Sequence, residues 1–131
     1  MSVEEVVAFL REPYALDDTA EAAPALEALC CHPDLVDRLT ELGRFVRARR
    51  VFVGGCPVLL DATTAGPFAA AWGTHVVMLR LGEHPGALAV EPPHIDGLDN
   101  DWVRVNPWPQ DVTFRRGTDL LRDVVGRAAV R

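Results

Sequence analysis

The chain has 131 residues, of which 49% are hydrophobic, a length that fits one domain and a composition too apolar for a disordered segment. No apolar run approaches the ~20 residues of a membrane span, and the acidic start MSVEEVVAFLRE differs from the basic start of a signal peptide. We therefore expect a cytoplasmic protein without membrane contact. Its net charge of −6 disfavours a nucleic-acid partner, because phosphate backbones repel an acidic surface.

The charge is unevenly divided along the chain, with a strongly acidic first part and a weakly basic second part. Residues 1–43 hold ten acidic residues and two arginines, whereas residues 44–131 carry a net charge of +2. The one basic cluster consists of Arg44, Arg47, Arg49 and Arg50. We interpret it as the last turn of a helix, where cations complement the helix dipole.

Apolar spacing predicts helices in the first part of the chain. A helix is expected over about 3–12, before Pro13, and a short second helix after Pro24. The strongest helical pattern follows Pro33, and its apolar stripe comprises Leu35, Val36, Leu39, Leu42, Phe45 and Val46. We expect one domain over 1–131, with 1–32 as a helical lead-in and 33–131 as its α+β core.

Strand patterns follow, separated by glycines and prolines. The predicted strands are Arg50–Val53, Val58–Leu60, Phe68–Trp72, His75–Leu81 and Asp101–Val105, and Ala87–Val90 could form a short edge strand. Gly54-Gly55 is either a turn or a bulge between the first two strands. A final amphipathic helix is expected at the C-terminus. The predicted class is α+β, an antiparallel sheet of about five strands with the N-terminal helices and the C-terminal helix packed on one face.

The long loop over 82–100 concentrates ionisable groups, and loops of this length are often functional. His84, His94 and Asp96 are candidates for acid–base catalysis, so a small enzyme is one functional hypothesis. The histidines at 75, 84 and 94 lie nine and ten residues apart, which matches no zinc-site spacing. We therefore expect no metal and no cofactor.

Trp108 motivates the favoured hypothesis, a binding or accessory protein. It stands between Pro107 and Pro109, so its ring is a rigid aromatic anchor or a lid over the core. With Trp102, Arg104 and His94 it forms the predicted binding site for a protein, peptide or small ligand at the sheet edge and the 82–100 loop. Trp72 and Trp102 also fit the core.

Three cysteines do not form a disulfide framework, because Cys30 and Cys31 are adjacent and Cys56 stands alone. We expect buried or half-buried thiols. The alternative for Cys56 is a nucleophile with His75 as its base.

The order of elements resembles the small domains related to the TfoX N-terminal domain and to YjbR (MmcQ). The residues that carry the resemblance are Val51–Gly55, Gly66–Trp72, Val76–Arg80, Asp101–Val105 and the closing helix Asp119–Arg131. The resemblance implies an α+β fold with an antiparallel sheet and a non-catalytic or unknown role. It transfers no catalytic residue to this chain.

The first helices suggest a homodimer. An acidic helix with one apolar face at the edge of a small domain is a plausible surface for self-association.

Overall fold

A computed structural model describes residues 3–62, 64–74, 76–80, 90–91 and 102–105. The described elements are α1 (Val3–Arg11), α2 (Pro33–Phe45), two 3-10 helices (Asp18–Glu21 and Leu26–Ala28), β1 (Arg49–Val53), β2 (Cys56–Leu60), β3 (Pro67–Trp72), β4 (Val76–Arg80), β5 (Val90–Glu91) and β6 (Trp102–Val105). Every strand pair is antiparallel. The predicted α+β class with an antiparallel sheet is thus confirmed, while the predicted C-terminal helix lies outside the described residues.

The sheet is built from consecutive hairpins. β1 to β4 lie side by side in chain order, and short β6 and β5 continue the sheet beyond β4, in the order β1-β2-β3-β4-β6-β5. Among the described strands, β1 therefore lies at one edge, next to the N-terminal third of the chain.

The Gly54-Gly55 pair is the turn between β1 and β2. Both glycines have positive φ, 60° and 84°, as a type I′ turn requires, and only glycine adopts these angles without strain. The turn pairs Val53 with Cys56 and places Phe52 opposite Pro57. In a two-residue hairpin the second pair makes no mutual hydrogen bonds, so the missing N–H of Pro57 costs nothing in this ladder.

The two α-helices lie on opposite faces of the sheet, so the prediction that the helices share one face is wrong. Neighbouring β4 residues show the division: Val77 and Leu79 belong to the core beneath α2, whereas Met78 belongs to the core beneath α1. Successive side chains of a strand point to opposite faces. An apolar β4 therefore needs a cover on both sides, and the two helices supply it.

Each face has its own hydrophobic core. The α1-side core comprises Val6, Val7, Phe9, Leu10, Val51, Val53, Cys56, Val58, Leu60, Ala70, Trp72, Met78 and Trp102. The α2-side core comprises Cys31, Leu35, Val36, Leu39, Leu42, Leu59, Phe68, Ala69, Ala71, Val77 and Leu79. The apolar face of α1 is thereby buried in the protein itself, and the homodimer stays a prediction.

A short stretch, Cys30–His32, connects the ends of two hairpins; we call it the crossing segment. The Cys30 N–H donates to the Gly55 carbonyl at 3.0 Å, and the Gly73 N–H donates to the Cys30 carbonyl at 3.0 Å. The His32 N–H donates to the Gly73 carbonyl at 2.8 Å. These bonds hold the segment in place where the chain passes from the α1 side of the sheet to the start of α2 on the other side.

Both ends of α2 are capped. His32 is the N-cap, and its Nδ1 accepts a hydrogen bond from the Asp34 N–H at 3.1 Å. At the other end Arg47 has a positive φ of 57°, and the Ala48 N–H donates to the Gly43 carbonyl at 2.9 Å. This is the six-to-one bond of a Schellman motif.

The arginine cluster spans two elements, so its interpretation as a last helical turn holds only for Arg44. Arg49 and Arg50 lie in β1. The Arg50 guanidinium donates to Thr40 Oγ1 at 2.9 Å and stacks 4.9 Å from the centre of the Phe52 ring. Arg50 therefore connects β1 to Thr40 of α2.

Candidate functional site

An open cleft of about 560 Å³ lies beside the end of β1; we call it the edge cleft. Its walls are formed by Glu5, Tyr14–Asp17, Thr19, Ala20, Ala22–Pro24 and Phe52–Gly55. One wall is thus the acidic segment after α1, and the other is the end of β1 with the Gly54-Gly55 turn.

Local contacts hold the acidic wall in place. The Tyr14 ring meets Phe9 edge-on, with ring centres 5.0 Å apart, and Tyr14 stays 54% exposed. The Asp17 carboxylate accepts from the Thr19 N–H at 2.9 Å and also from the Thr19 hydroxyl, which starts the first 3-10 helix. At the end of that helix Glu21 forms an ion pair with Arg49 of β1. The wall is therefore fixed at both ends to the sheet and to α1.

The edge of β1 offers backbone groups next to the cleft. Because Val51 and Val53 pair with β2 through their hydrogen bonds, the N–H and C=O groups of Arg50 and Phe52 point away from β2. No other group in the described ranges hydrogen-bonds to these outward backbone groups. Such an edge is a template for pairing with another extended chain.

The rim of the edge cleft is negatively charged. Glu5 and Asp17 line it, and the two hydrogen bonds from Thr19 lower the pKa of Asp17 below its ordinary value. Asp17 is therefore ionised at neutral pH. The lining also includes the apolar residues Leu16 and Pro24, so the cleft suits a ligand with both apolar and cationic groups.

The catalytic and binding residues predicted from the sequence fall into two groups, those outside the described residues and those within them. His84, His94, Asp96 and Trp108 lie outside the described residues. Trp102 is only 4% exposed within the α1-side core, which is the core position also expected for it and leaves no ring face for a ligand. Arg104 is half-buried in β6, opposite Met78 and Glu91 in the strand register. Because His94 and Trp108 lie outside the described residues, the binding site of Trp102, Arg104, His94 and Trp108 stays a prediction.

Cys56 is a buried thiol that is protonated at neutral pH. It is fully buried, and its pKa is raised to about 12, first by burial and then by the neighbouring Cys30 and Cys31. A thiol with that pKa holds its proton at neutral pH and is inert as a nucleophile on its own. Burial of Cys56 opposes the alternative of a Cys56–His75 dyad, whose histidine lies outside the described residues. The expected buried or half-buried thiols are confirmed for all three cysteines.

Sequence reasoning missed the edge cleft because residues 14–24 show no periodicity. Their position depends on two contacts to other elements, those of Tyr14 and Glu21, and on the local bond between Asp17 and Thr19. The one available signal was the Asp-Asp-Thr cap at Asp17–Thr19 in a markedly acidic stretch.

The chain matches no family model, no curated protein and no solved structure. The resemblance to the TfoX N-terminal and YjbR domains therefore stays a prediction. Among the described residues, no group of three His, Cys, Asp or Glu side chains is placed to hold a metal ion. None of the helices that the structure describes combines the length and apolarity needed to cross a bilayer.

Proposed function

We propose that the protein is a small cytoplasmic accessory protein that binds an extended, positively charged peptide segment of a partner protein in the edge cleft. The observation that carries this proposal is an open cleft with an acidic rim directly beside β1, a strand at the sheet edge. A peptide laid along such a strand adds one strand to the sheet.

Backbone pairing supplies the first part of the recognition. The outward groups of Arg50 and Phe52 in β1 lie two residues apart and match the hydrogen-bond spacing of an antiparallel partner strand. These bonds are independent of the peptide's sequence, so they favour any extended segment without proline at the paired positions.

Charge supplies the second part. The rim residues Glu5 and Asp17 belong to a segment, residues 1–43, with a net charge of −8. Arginine or lysine side chains at alternate positions of the peptide lie on one side of an extended chain. They reach the acidic wall, while the intervening side chains point to the opposite side of the extended peptide.

A matched pair of variants tests the proposal. The probe is a fluorescein-labelled decapeptide of alternating valine and arginine, and the comparison peptide alternates valine and glutamate. Ala22→Arg fills the cleft from an exposed wall position, whereas Ala8→Arg adds the same charge on the exposed side of α1, outside the cleft. We expect Ala22→Arg to weaken binding at least about tenfold, or ~1.4 kcal/mol, and Ala8→Arg to change it less than about twofold.

Fluorescence anisotropy gives the affinities, and thermal melts establish that both variants are folded. Equal weakening by the two variants would mean that net charge alone attracts the probe. Equal binding of the arginine and glutamate peptides would contradict the acidic-cleft proposal. Either result would overturn the assignment of the edge cleft as the binding site.

The proposal keeps the predicted scaffold of about five strands closed by a C-terminal helix over Asp119–Arg131. It also keeps the 82–100 loop and Trp108 as a second contact region for the partner. Catalysis by His84, His94 and Asp96 stays the alternative. An enzymatic activity that is lost in a His84→Ala/His94→Ala double variant would support it.

A further inference from the structure

Cys30 and Cys56 lie next to each other at the end of the sheet where the crossing segment meets the β1–β2 turn. The Cys30 N–H donates to the carbonyl of Gly55, the residue that precedes Cys56. Cys30 is half-buried and packs against the α1-side core, to which fully buried Cys56 belongs. The side chain of Cys30 is close enough to that of Cys56 to help raise its pKa.

The sheet separates Cys31 from this pair. Cys31 follows Cys30 in an extended stretch that bridges Gly73 in a strand-like manner, so its side chain points to the other face. It belongs to the α2-side core. Cys30 and Cys31 are thus adjacent in sequence but have side chains on opposite faces of the sheet. The cysteine that lies beside Cys30 in the fold is Cys56, 26 residues further along the chain.

We propose that Cys30 and Cys56 form a reversible disulfide, which makes this end of the sheet a thiol–disulfide redox site. The oxidant is a low-molecular-weight disulfide such as oxidised glutathione. The Cys30 sulfur, as thiolate, attacks one sulfur of that disulfide and releases one thiolate, leaving a mixed disulfide on Cys30. Cys56 then loses its proton and attacks the Cys30 sulfur, which releases the second small thiolate.

The electron balance closes within these two steps. The two cysteines lose two protons and two electrons, and the small disulfide becomes two thiols. The half-exposed Cys30 is the sulfur that a solute can reach, whereas Cys56 reacts only within the protein. The contact between the two side chains makes the second step intramolecular, which offsets the low thiolate fraction of Cys56.

Oxidation of the full chain with oxidised glutathione under native conditions tests the proposal. Remaining thiols are alkylated with a maleimide after denaturation in acid and counted by intact mass. We expect the wild type to fall from three free thiols to one, without a glutathione adduct, and to recover all three after reduction. Trypsin leaves Cys30 and Cys31 on one peptide, Glu12–Arg38, and Cys56 on Val51–Arg80, so variants must identify the linked cysteine.

Cys31→Ala is the matched control, because it removes only the neighbouring thiol. On oxidation this variant should lose both of its remaining thiols, Cys30 and Cys56, to the cross-link. Cys30→Ser should retain two free thiols, and a thermal melt establishes that it is folded. Cys56→Ala should accumulate an unresolved glutathione adduct on Cys30. The proposal is overturned if the wild type keeps three thiols, if it stops at the adduct, or if Cys30→Ser still forms the cross-linked peptide.

Discussion

Gly43 of α2 lies directly against Leu59 of β2. A Cβ atom built at Gly43 would stand 2.7 Å from Leu59 Cδ2 and 3.3 Å from its Cδ1. Leu59 is fully buried in the α2-side core, so its side chain has no room to withdraw. The absence of a side chain at Gly43 therefore sets how closely α2 approaches the sheet.

Gly43→Ala should destabilise the protein by about 1 kcal/mol. Overpacking costs ~1–3 kcal/mol, and the gain in helix propensity of ~1 kcal/mol offsets only part of it. Urea denaturation measures the change. In a Leu59→Ala background the clash is absent, so the same substitution should become stabilising by roughly 1 kcal/mol.

Gly66→Ala is the matched control for Gly43→Ala. The nearest atom to a Cβ at Gly66 is Thr64 Oγ1 at 3.4 Å, which is ordinary contact. We expect a change within about 0.5 kcal/mol. If Gly43→Ala were equally harmful in both Leu59 backgrounds, the close approach to Leu59 would not be its cause.

Phe9→Ala should cost about 3–5 kcal/mol of unfolding free energy, because α1 is the cover of one sheet face. Phe9 is 2% exposed in the α1-side core. Leu39→Ala in the α2-side core should cost a similar ~2–5 kcal/mol, whereas exposed Ala8→Gln should change stability by no more than about 0.5 kcal/mol. A small effect of Phe9→Ala in chemical denaturation would mean that α1 is a dispensable lead-in.

Arg47→Gly should stabilise the protein by roughly 0.5–1 kcal/mol. Arg47 is exposed and holds the left-handed position of the Schellman motif, where a side chain costs about 1–2 kcal/mol relative to glycine. Part of this gain is offset by the greater freedom of glycine in the unfolded chain. Arg47→Ala keeps the strain and should stay near wild type, so an equal gain in thermal melts for both variants would point to the lost charge instead.

Stability should decline as the pH rises from about 9 to about 12. Burial, above all, raises the pKa of the Cys31 and Cys56 thiols from 9.0 to about 12. In that window the unfolded thiols ionise and the folded ones do not, so the unfolded state binds fewer protons and becomes relatively more stable. Below pH 9 both states are protonated and these thiols add no pH dependence.

Urea unfolding under reducing conditions at stepwise pH values measures this decline. Cys31→Ala removes one of the two groups, so its unfolding free energy should fall less steeply over the same window. An identical slope in wild type and variant would show that Cys31 does not take part.

The sequence predicted the elements better than their arrangement. The apolar stripe after Pro33 gave α2 its correct start, and Gly54-Gly55 marked a true turn, because periodicity and turn chemistry are local. The apolar β4 indicated burial on both faces, yet nothing local tells which helix covers which face. That choice depends on the path of residues 12–32 across the hairpin ends.

The site was harder to predict for the same reason. The edge cleft brings Glu5 and Tyr14 together with Gly54, residues that no spacing rule connects. Likewise, Cys30 lies beside Cys56, and the side chain of adjacent Cys31 lies elsewhere, because the sheet divides consecutive side chains between two cores. His32 was overlooked as a helix cap, since histidine can accept through Nδ1 but is not among the usual capping residues.

The crossing segment determines the order in which the fold closes. The hairpins from β1 to β4 join residues close in sequence, and such pairs form within microseconds. The crossing segment must instead join Cys30 to Gly55 and Gly73, which requires the closure of much longer loops. We therefore expect it to dock onto hairpins that already exist. The amides of Cys30, His32 and Gly73 should then exchange with solvent as one unit, whose opening frees the ends of both hairpins together.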